Sequence, residues 1–221
     1  NRSEAEQLPA VRSYPSRLFV ETTTLCNMKC HMCVKQSMGS GLKEGNISFE
    51  TFEALEPALV KAEALVLNGI GEPLLHPDLE AFVRRGKELM PANSWIGFQS
   101  NGLLLDETRA SSLVRAGLDR ICLSLDAICP DTFRKIREGG EVKDLEQAFK
   151  ALNTARKRHP ESNLRVGVEF VVMRDNIHQL PDVLRWAASV GVSFAIVSHL
   201  LPYDRDHVSQ IAYDYNTQEA V

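Results

Sequence analysis

No basic run stands out along these 221 residues, and the formal net charge is −4. The electrostatic footprint of a nucleic-acid binder is therefore missing, and no nucleic-acid partner is expected. No apolar run approaches the ~18 residues that a membrane span needs, so no membrane partner is expected. No signal peptide is visible, although the chain begins at Asn1 without a methionine. Cysteine is sparse: there are 5, three of them clustered, and no second C-x-x-C pair exists. An odd count with that clustering argues against a disulfide scaffold and for a reducing, cytoplasmic compartment. What is left, 44% hydrophobic and 24% charged residues, describes an ordinary soluble globular protein with one substantial core.

The apolar runs that do occur are short and alternate with helical patterns. Residues 1–16 are polar, contain Pro9 and Pro15, and read as a lead-in; residues 17–221 read as one core domain. Strands are predicted over 17–23, 64–68, 95–100, 120–125, 164–173 and 192–198. Gly39, Gly41 and Gly45 punctuate the loop that follows the first strand. Ser48 caps a helix that Pro57 should kink, and Pro77 opens another. Asp106 caps a third helix, closed by Gly117. Pro130 starts a short one, and Val142, Leu145, Phe149 and Leu152 mark a longer one. Asn176 and Gln179 resemble a capping box for a helix closed by Gly191, and a last helix is expected after Pro202. Repeated βαβ units of this kind give an α/β fold with a parallel sheet, here a partial (β/α)6 TIM-like barrel. Active sites of such sheets lie at the carboxyl ends of the strands.

Cys26, Cys30 and Cys33 fall at C-x3-C-x2-C just beyond the first strand. An eight-residue loop can turn three thiolates toward one point, as an iron–sulfur cluster requires. Three ligands leave a four-ligand site one short, and an open metal position is where chemistry happens. A structural zinc knuckle with His31 as fourth ligand competes with this reading, as do three loop cysteines without metal. The knuckle needs adjacent Cys30 and His31 both to point inward. Cys122, in an apolar run, reads as a small core residue, and Cys129 as a bystander thiol.

The run Cys26-Asn27-Met28-Lys29-Cys30-His31-Met32-Cys33 resembles the signature of the radical S-adenosylmethionine enzymes. That resemblance implies a 4Fe-4S cluster on Cys26, Cys30 and Cys33 and S-adenosyl-L-methionine on its free iron. It implies an electron donor of flavodoxin or ferredoxin type, cleavage of the sulfonium–carbon bond, and a 5′-deoxyadenosyl radical that takes hydrogen from a substrate.

Polar, glycine-containing features follow the other predicted strands too. Asn68-Gly69-Ile70-Gly71-Glu72-Pro73 alone reads as a Gly-Pro turn; beside the cysteines it resembles the family's Gly-Gly-Glu-Pro motif. Gly71, Glu72 and Pro73 would then hold the cofactor's amino group, with Ile70 replacing the motif's first glycine. Ser100 and Asn101 precede Gly102 as a turn pair, and relatives place such residues against the cofactor pocket. Ser124 and Asp126 alternate on one face at the end of the fourth strand, where the family's serine touches the ribose or methionyl group. Asp126 reads equally as a turn residue. Arg137 could fork onto the methionine carboxylate or sit on a solvated helix face. Glu169 is a carboxylate in an apolar strand, costly unless paired or facing the barrel interior. Ser198 and His199 stand where relatives surround the adenine, although a loop histidine is the plainer reading. Met32 could cover a purine face or pack in the core. His76 and His178 read as helix-start residues.

Three runs, 69–77, 169–181 and 197–203, resemble a branch with a C-terminal cysteine-rich domain of SPASM type. That branch includes peptide maturases and tungsten-cofactor oxidoreductase maturases. No cysteine follows Cys129, so no auxiliary cluster can be built from these residues. The chain stops at Val221 in what reads as an unfinished helix, so a core domain truncated at its C-terminus is expected. An incomplete barrel leaves its substrate side open, suited to a peptide or protein substrate. Two other classes stay open: an activase or methylase of another radical branch, and a non-enzymatic zinc-binding α/β module.

Overall fold

The chain joins its sheet at β1 (Arg17–Phe19), and the computed structural model describes residues 14–37 and 41–213. The cysteine loop follows, then a turn of helix α1 (Val34–Ser37). Helices α2 (Phe49–Glu53) and α3 (Glu56–Leu59) lead to β2 (Ala64–Val66). A 3-10 turn (Pro73–Leu75) and α4 (Leu79–Leu89) lead to β3 (Trp95–Ser100). Then come α5 (Glu107–Ala116), β4 (Arg120–Ser124), α6 (Pro130–Ile136) and α7 (Val142–Arg158). β5 (Arg165–Val172), a 3-10 turn (Ile177–Gln179), α8 (Leu180–Ser189), β6 (Phe194–His199) and α9 (Arg205–Ser209) complete it.

All six strands are parallel, and their order in the sheet is their order in the chain. β1 pairs only with β2 and β6 only with β5, so the curled sheet is an open partial barrel, as the alternating pattern predicts. Strand alternation sorts the side chains. Ile96, Ile121, Leu123, Val166, Val168 and Phe170 are buried with the helices, while Gln99, Ser124, Glu169 and Val171 face the concave side. The outer face of β6 is poorly covered, with Val197 48% exposed.

Caps behave as their chemistry requires. The Ser48 side chain accepts from the Thr51 N–H, Asp106 accepts from Arg109 N–H, and Gly117 closes α5 at φ 95°. Pro57 splits the first helical stretch into α2 and α3 and sits in the first turn of α3, where its missing N–H does no harm.

Four expectations are corrected. β1 ends at Phe19 rather than at 23, because its partner β2 ends at Val66; Thr23 instead bridges antiparallel to Asn46. Pro77 does not open α4: the chain first makes the Pro73–Leu75 turn, and His76 Nδ1 accepts from Asp78 N–H at 3.0 Å. His76 is 1% exposed, with Nε2 3.1 Å from the Ile47 carbonyl, and so is a buried strut. Asn176 and Gln179 form no capping box. The Asn176 amide accepts from Met173 N–H and donates to the Asp126 and Val171 carbonyls, and Gln179 accepts from Ile128 and Cys129 N–H. Both side chains hold strand-end loops instead of the helix. The lead-in over 1–13, Gly39 and the residues beyond Tyr213 lie outside the described residues. Among the described residues, no helix is long and apolar enough to cross a membrane.

The core between α2, α4 and the sheet is aromatic. Phe82 is fully buried, stacked on Phe52 at 4.5 Å between centroids and on Phe49 at 5.6 Å. Truncation of Phe82 to alanine opens a cavity there and should cost about 3–5 kcal/mol. Urea unfolding checks this: the midpoint should fall with the slope unchanged.

Candidate active site

The cysteine loop is held by main-chain bonds from distant parts of the chain. Thr24 N–H donates to the Gly45 carbonyl, Lys29 N–H to Glu138 and His31 N–H to Ile136, at 3.0, 2.9 and 2.9 Å. The His31 carbonyl lies 2.8 Å from Nε2 of His207, a buried histidine of α9. Because Tyr203 N–H donates to His207 Nδ1 at 3.3 Å, Nε2 carries the proton that His31 accepts. Beneath the loop, Met28 and Met32 pack with Ile136, Met173 and Leu200. Cys30 is buried in the same cluster, with Cys26 and Cys33 packed against it.

The result is a cavity of about 380 Å³ at the carboxyl ends of the strands, lined by Cys26, Cys30 and Cys33 together. All three thiols are free. Burial pushes the pKa values of Cys26 and Cys30 up; the Met28 N–H opposes the rise at Cys26, where Glu72 and Cys33 add to it, and Arg137 opposes it at Cys30, where Cys26 and Cys33 add to it. A metal cation that bound these sulfurs would displace their protons to solvent. Among the described residues, no three His, Cys, Asp or Glu side chains are grouped to hold a single metal ion. His31, the fourth ligand of a zinc knuckle, is exposed, with its ring edge against His207 at 5.6 Å and outside the cavity wall. Three cysteine sulfurs in one wall fit the thiolate ligation of an iron–sulfur cluster.

The turn after β2 lies directly against the cysteine loop. Glu72 N–H donates to the Leu25 carbonyl at 2.7 Å, and a Cβ on Gly71 would stand 2.2 Å from the Thr23 carbonyl oxygen and 2.6 Å from that of Leu25. Only glycine fits. The Glu72 carboxylate is buried and accepts from Ser100 Oγ at 2.7 Å, Asn101 N–H at 2.7 Å and Leu74 N–H at 3.2 Å. Burial raises its pKa, and these three donors work against the rise. Asn101 Nδ2 in turn donates to Asn27 Oδ1 at 2.7 Å, inside the cysteine run.

Opposite stand Arg137, Ser124 and Glu169. Burial disfavours the Arg137 cation, but the charges of Asp126 and Cys30 outweigh it and raise its pKa. Burial raises the Glu169 pKa as well, with Arg137 opposing; the Gln99 side chain bonds this carboxylate.

Of the residues singled out in the sequence, the structure brings Met32, Gly71, Glu72, Ser100, Asn101, Ser124, Arg137 and Glu169 to the one cavity with the cysteines. Pro73 is buried behind it, opening the 3-10 turn. Asp126 is 0% exposed and lies behind Arg137 rather than in the wall. Ser198 and His199 do not line the cavity: Ser198 is in register with Val171 but beyond the wall, and His199 turns its ring onto Tyr213 at 4.4 Å. Sequence reasoning passed over Met28, Asn68, Gln99, Val171 and Tyr203, which also line it, and His207, which holds the loop. Strand alternation could have found Gln99, which shares the concave face of β3 with Gly97 two residues earlier. Nothing local marks His207, which is 176 residues from His31.

An open parallel α/β barrel with a cysteine-lined cavity at its carboxyl end defines the class. The model of the Radical SAM superfamily matches residues 20–187, and the chain belongs to that superfamily. It is 30% identical over 204 residues to the tungsten-containing aldehyde ferredoxin oxidoreductase cofactor-modifying protein of Pyrococcus furiosus, covering 89% of this chain and 55% of that protein. Its fold resembles Streptococcus suis SuiB bound to S-adenosylmethionine, with TM-score 0.73 at 13% identity, covering 97% of this chain and 46% of that one. SuiB bound to precursor peptide SuiA gives TM-score 0.70 at 13% identity, covering 90% and 42%. The chain thus spans about half the length of these relatives.

Gly71→Ala should displace the turn from the cysteine loop and cost about 1–3 kcal/mol through overpacking. Iron retained after anaerobic reconstitution and thermal unfolding of the apoprotein check it; both should fall, whereas Gly41→Ala, with no atom near its Cβ position, should leave both unchanged.

Proposed function

We propose that this chain is the core of a radical S-adenosylmethionine enzyme, with residues 17–221 as the catalytic core domain. The observation that carries the reading is the meeting of three free thiols with the Gly71–Glu72 turn in one cavity. Cys26, Cys30 and Cys33 would hold a 4Fe-4S cluster, leaving one iron without a protein ligand. When bound, the cluster supplies the single electron that breaks the sulfonium–carbon bond of S-adenosylmethionine, giving methionine and a 5′-deoxyadenosyl radical.

The chain's own residues then have plain tasks. The peptide groups around Gly71 lie at the cavity and suit the cofactor's amino group. Ser124 and Glu169 offer a hydroxyl and a carboxylate in the cavity wall that would suit the cofactor's ribose hydroxyls. Arg137 offers guanidinium N–H groups to a carboxylate in a site where burial strengthens the pairing. Met28 and Met32 exclude water from below. The electron would come from a donor of flavodoxin or ferredoxin type, in a reducing, cytoplasmic compartment that keeps the thiols free.

A peptide or protein substrate, modified during maturation, is the substrate class we favour. The sheet is open between β1 and β6, and SuiB, similar in fold, is known with a precursor peptide bound. The cofactor-modifying relative supports a maturation role of the same broad kind.

Anaerobic reconstitution with iron and sulfide should turn the protein brown. With S-adenosylmethionine and dithionite it should release 5′-deoxyadenosine. Cys30→Ala should abolish both the visible absorption and the product while far-ultraviolet circular dichroism stays at the wild-type level. A Cys30→Ala protein that still forms 5′-deoxyadenosine refutes the assignment.

A further inference from the structure

We infer that Asp126 and Arg137 form a positioning pair that sets the reduction potential of the cluster held by Cys26, Cys30 and Cys33. The inference rests on the proposed function and assigns to the two residues a task beyond holding the cofactor.

Asp126 is fully buried and both its oxygens are used. Oδ1 accepts from Val171 N–H at 2.7 Å, and Oδ2 takes the Nε–H of Arg137. Its own carbonyl accepts from the Asn176 amide at 3.0 Å, so backbone and carboxylate are both fixed. A guanidinium gripped at Nε has its plane set, and Nη1 of Arg137 then points at Cys30 Sγ, 3.8 Å away.

The backbone repeats the constraint. Arg137 lies between Ile136 and Glu138, whose carbonyls accept from His31 and Lys29 N–H, the two residues flanking Cys30. The cation and the sulfur are thus locked in register by a main-chain bond on either side.

The potential of an iron–sulfur cluster depends on its net charge, on hydrogen bonds to its sulfurs and on solvent exposure. Reduction adds one negative charge. A buried cation donating to a ligand sulfur stabilises that extra charge, more strongly at low dielectric, and so makes reduction easier. Asp126 behind the guanidinium keeps the pair neutral overall while its positive end faces Cys30. Asp126 does not reach the cavity wall and makes its contact with the site through Arg137, while its own charge opposes that of the guanidinium at Cys30.

The test is a dithionite titration of the anaerobically reconstituted protein, with the reduced cluster followed by electron paramagnetic resonance. Arg137→Gln should lower the one-electron equilibrium at least tenfold, about 59 mV to more negative potential. Arg134→Gln removes an equal charge from an exposed position on α6, the helix that Arg137 caps, and should leave the potential unchanged. Asp126→Asn decides whether position matters: losing a nearby negative charge would by itself raise the potential, whereas losing the grip on Arg137 should lower it. Should Arg137→Gln not take up iron, Arg137→Lys carries the test, with a smaller drop expected because lysine keeps the charge but not the planar fork. A wild-type potential in the cluster-loaded Arg137 variant, or a rise in Asp126→Asn, overturns the inference. Wild-type protein that takes up no cluster sinks the proposed function itself.

Discussion

A single buried carboxylate joins the pieces of this site. Glu72 accepts from the Ser100 hydroxyl and from the N–H groups of Asn101 and Leu74, and its own N–H goes to the Leu25 carbonyl. Three segments that have no sequence relation, the cysteine loop, the turn after β2 and the end of β3, are tied at one residue. Unmade, each of those bonds would leave a buried donor unpaired at about 1–3 kcal/mol. The carboxylate is held tightly enough to stay buried at 3% exposure although burial raises its pKa. Its bonds therefore fix the shape of the wall.

The open sheet explains how such a wall can be polar. In a closed barrel the interior is packed with side chains. Here the concave face carries Asn68, Gln99, Ser124 and Glu169, and the Asn68 and Gln99 amides bond each other side chain to side chain and side chain to backbone. The apolar weight of the fold sits on the other face, where Phe52, Phe82, Phe133, Phe149 and Phe170 are all buried. Stability and chemistry are thus divided between the two faces of one sheet, as strand alternation allows.

Local patterning made much of this legible. Alternating short apolar runs and capped helices gave six parallel strands, and the strand bounds at 95–100 match β3 residue for residue. The cysteine spacing, the Gly71–Glu72 turn and the polar pairs after β3 and β4 pointed to one end of the barrel, and eight of the singled-out residues line its cavity with the cysteines. Where a side chain had a choice of partners, local pattern misled. Asn176 has the look of a cap, but the Met173 N–H and two strand-end carbonyls offer buried bonds that a solvent-exposed helix end does not. Asp126 alternates with Ser124 and so reads as a second cavity residue, yet it is Arg137 that stands in the wall, with the Asp126 carboxylate buried behind it.

The chain's sequence by itself determined the strand count, the parallel pairing and the presence of three thiols in one loop, because each rests on spacings of a few residues. Tertiary structure alone decided what those thiols face. Arg137 reaches Cys30 across 107 residues, Asn101 reaches Asn27 across 74, and His207 reaches His31 across 176. Contacts at that separation depend on how the strands stack and where each loop leaves the sheet, and a periodicity of two or 3.6 residues carries no information about either.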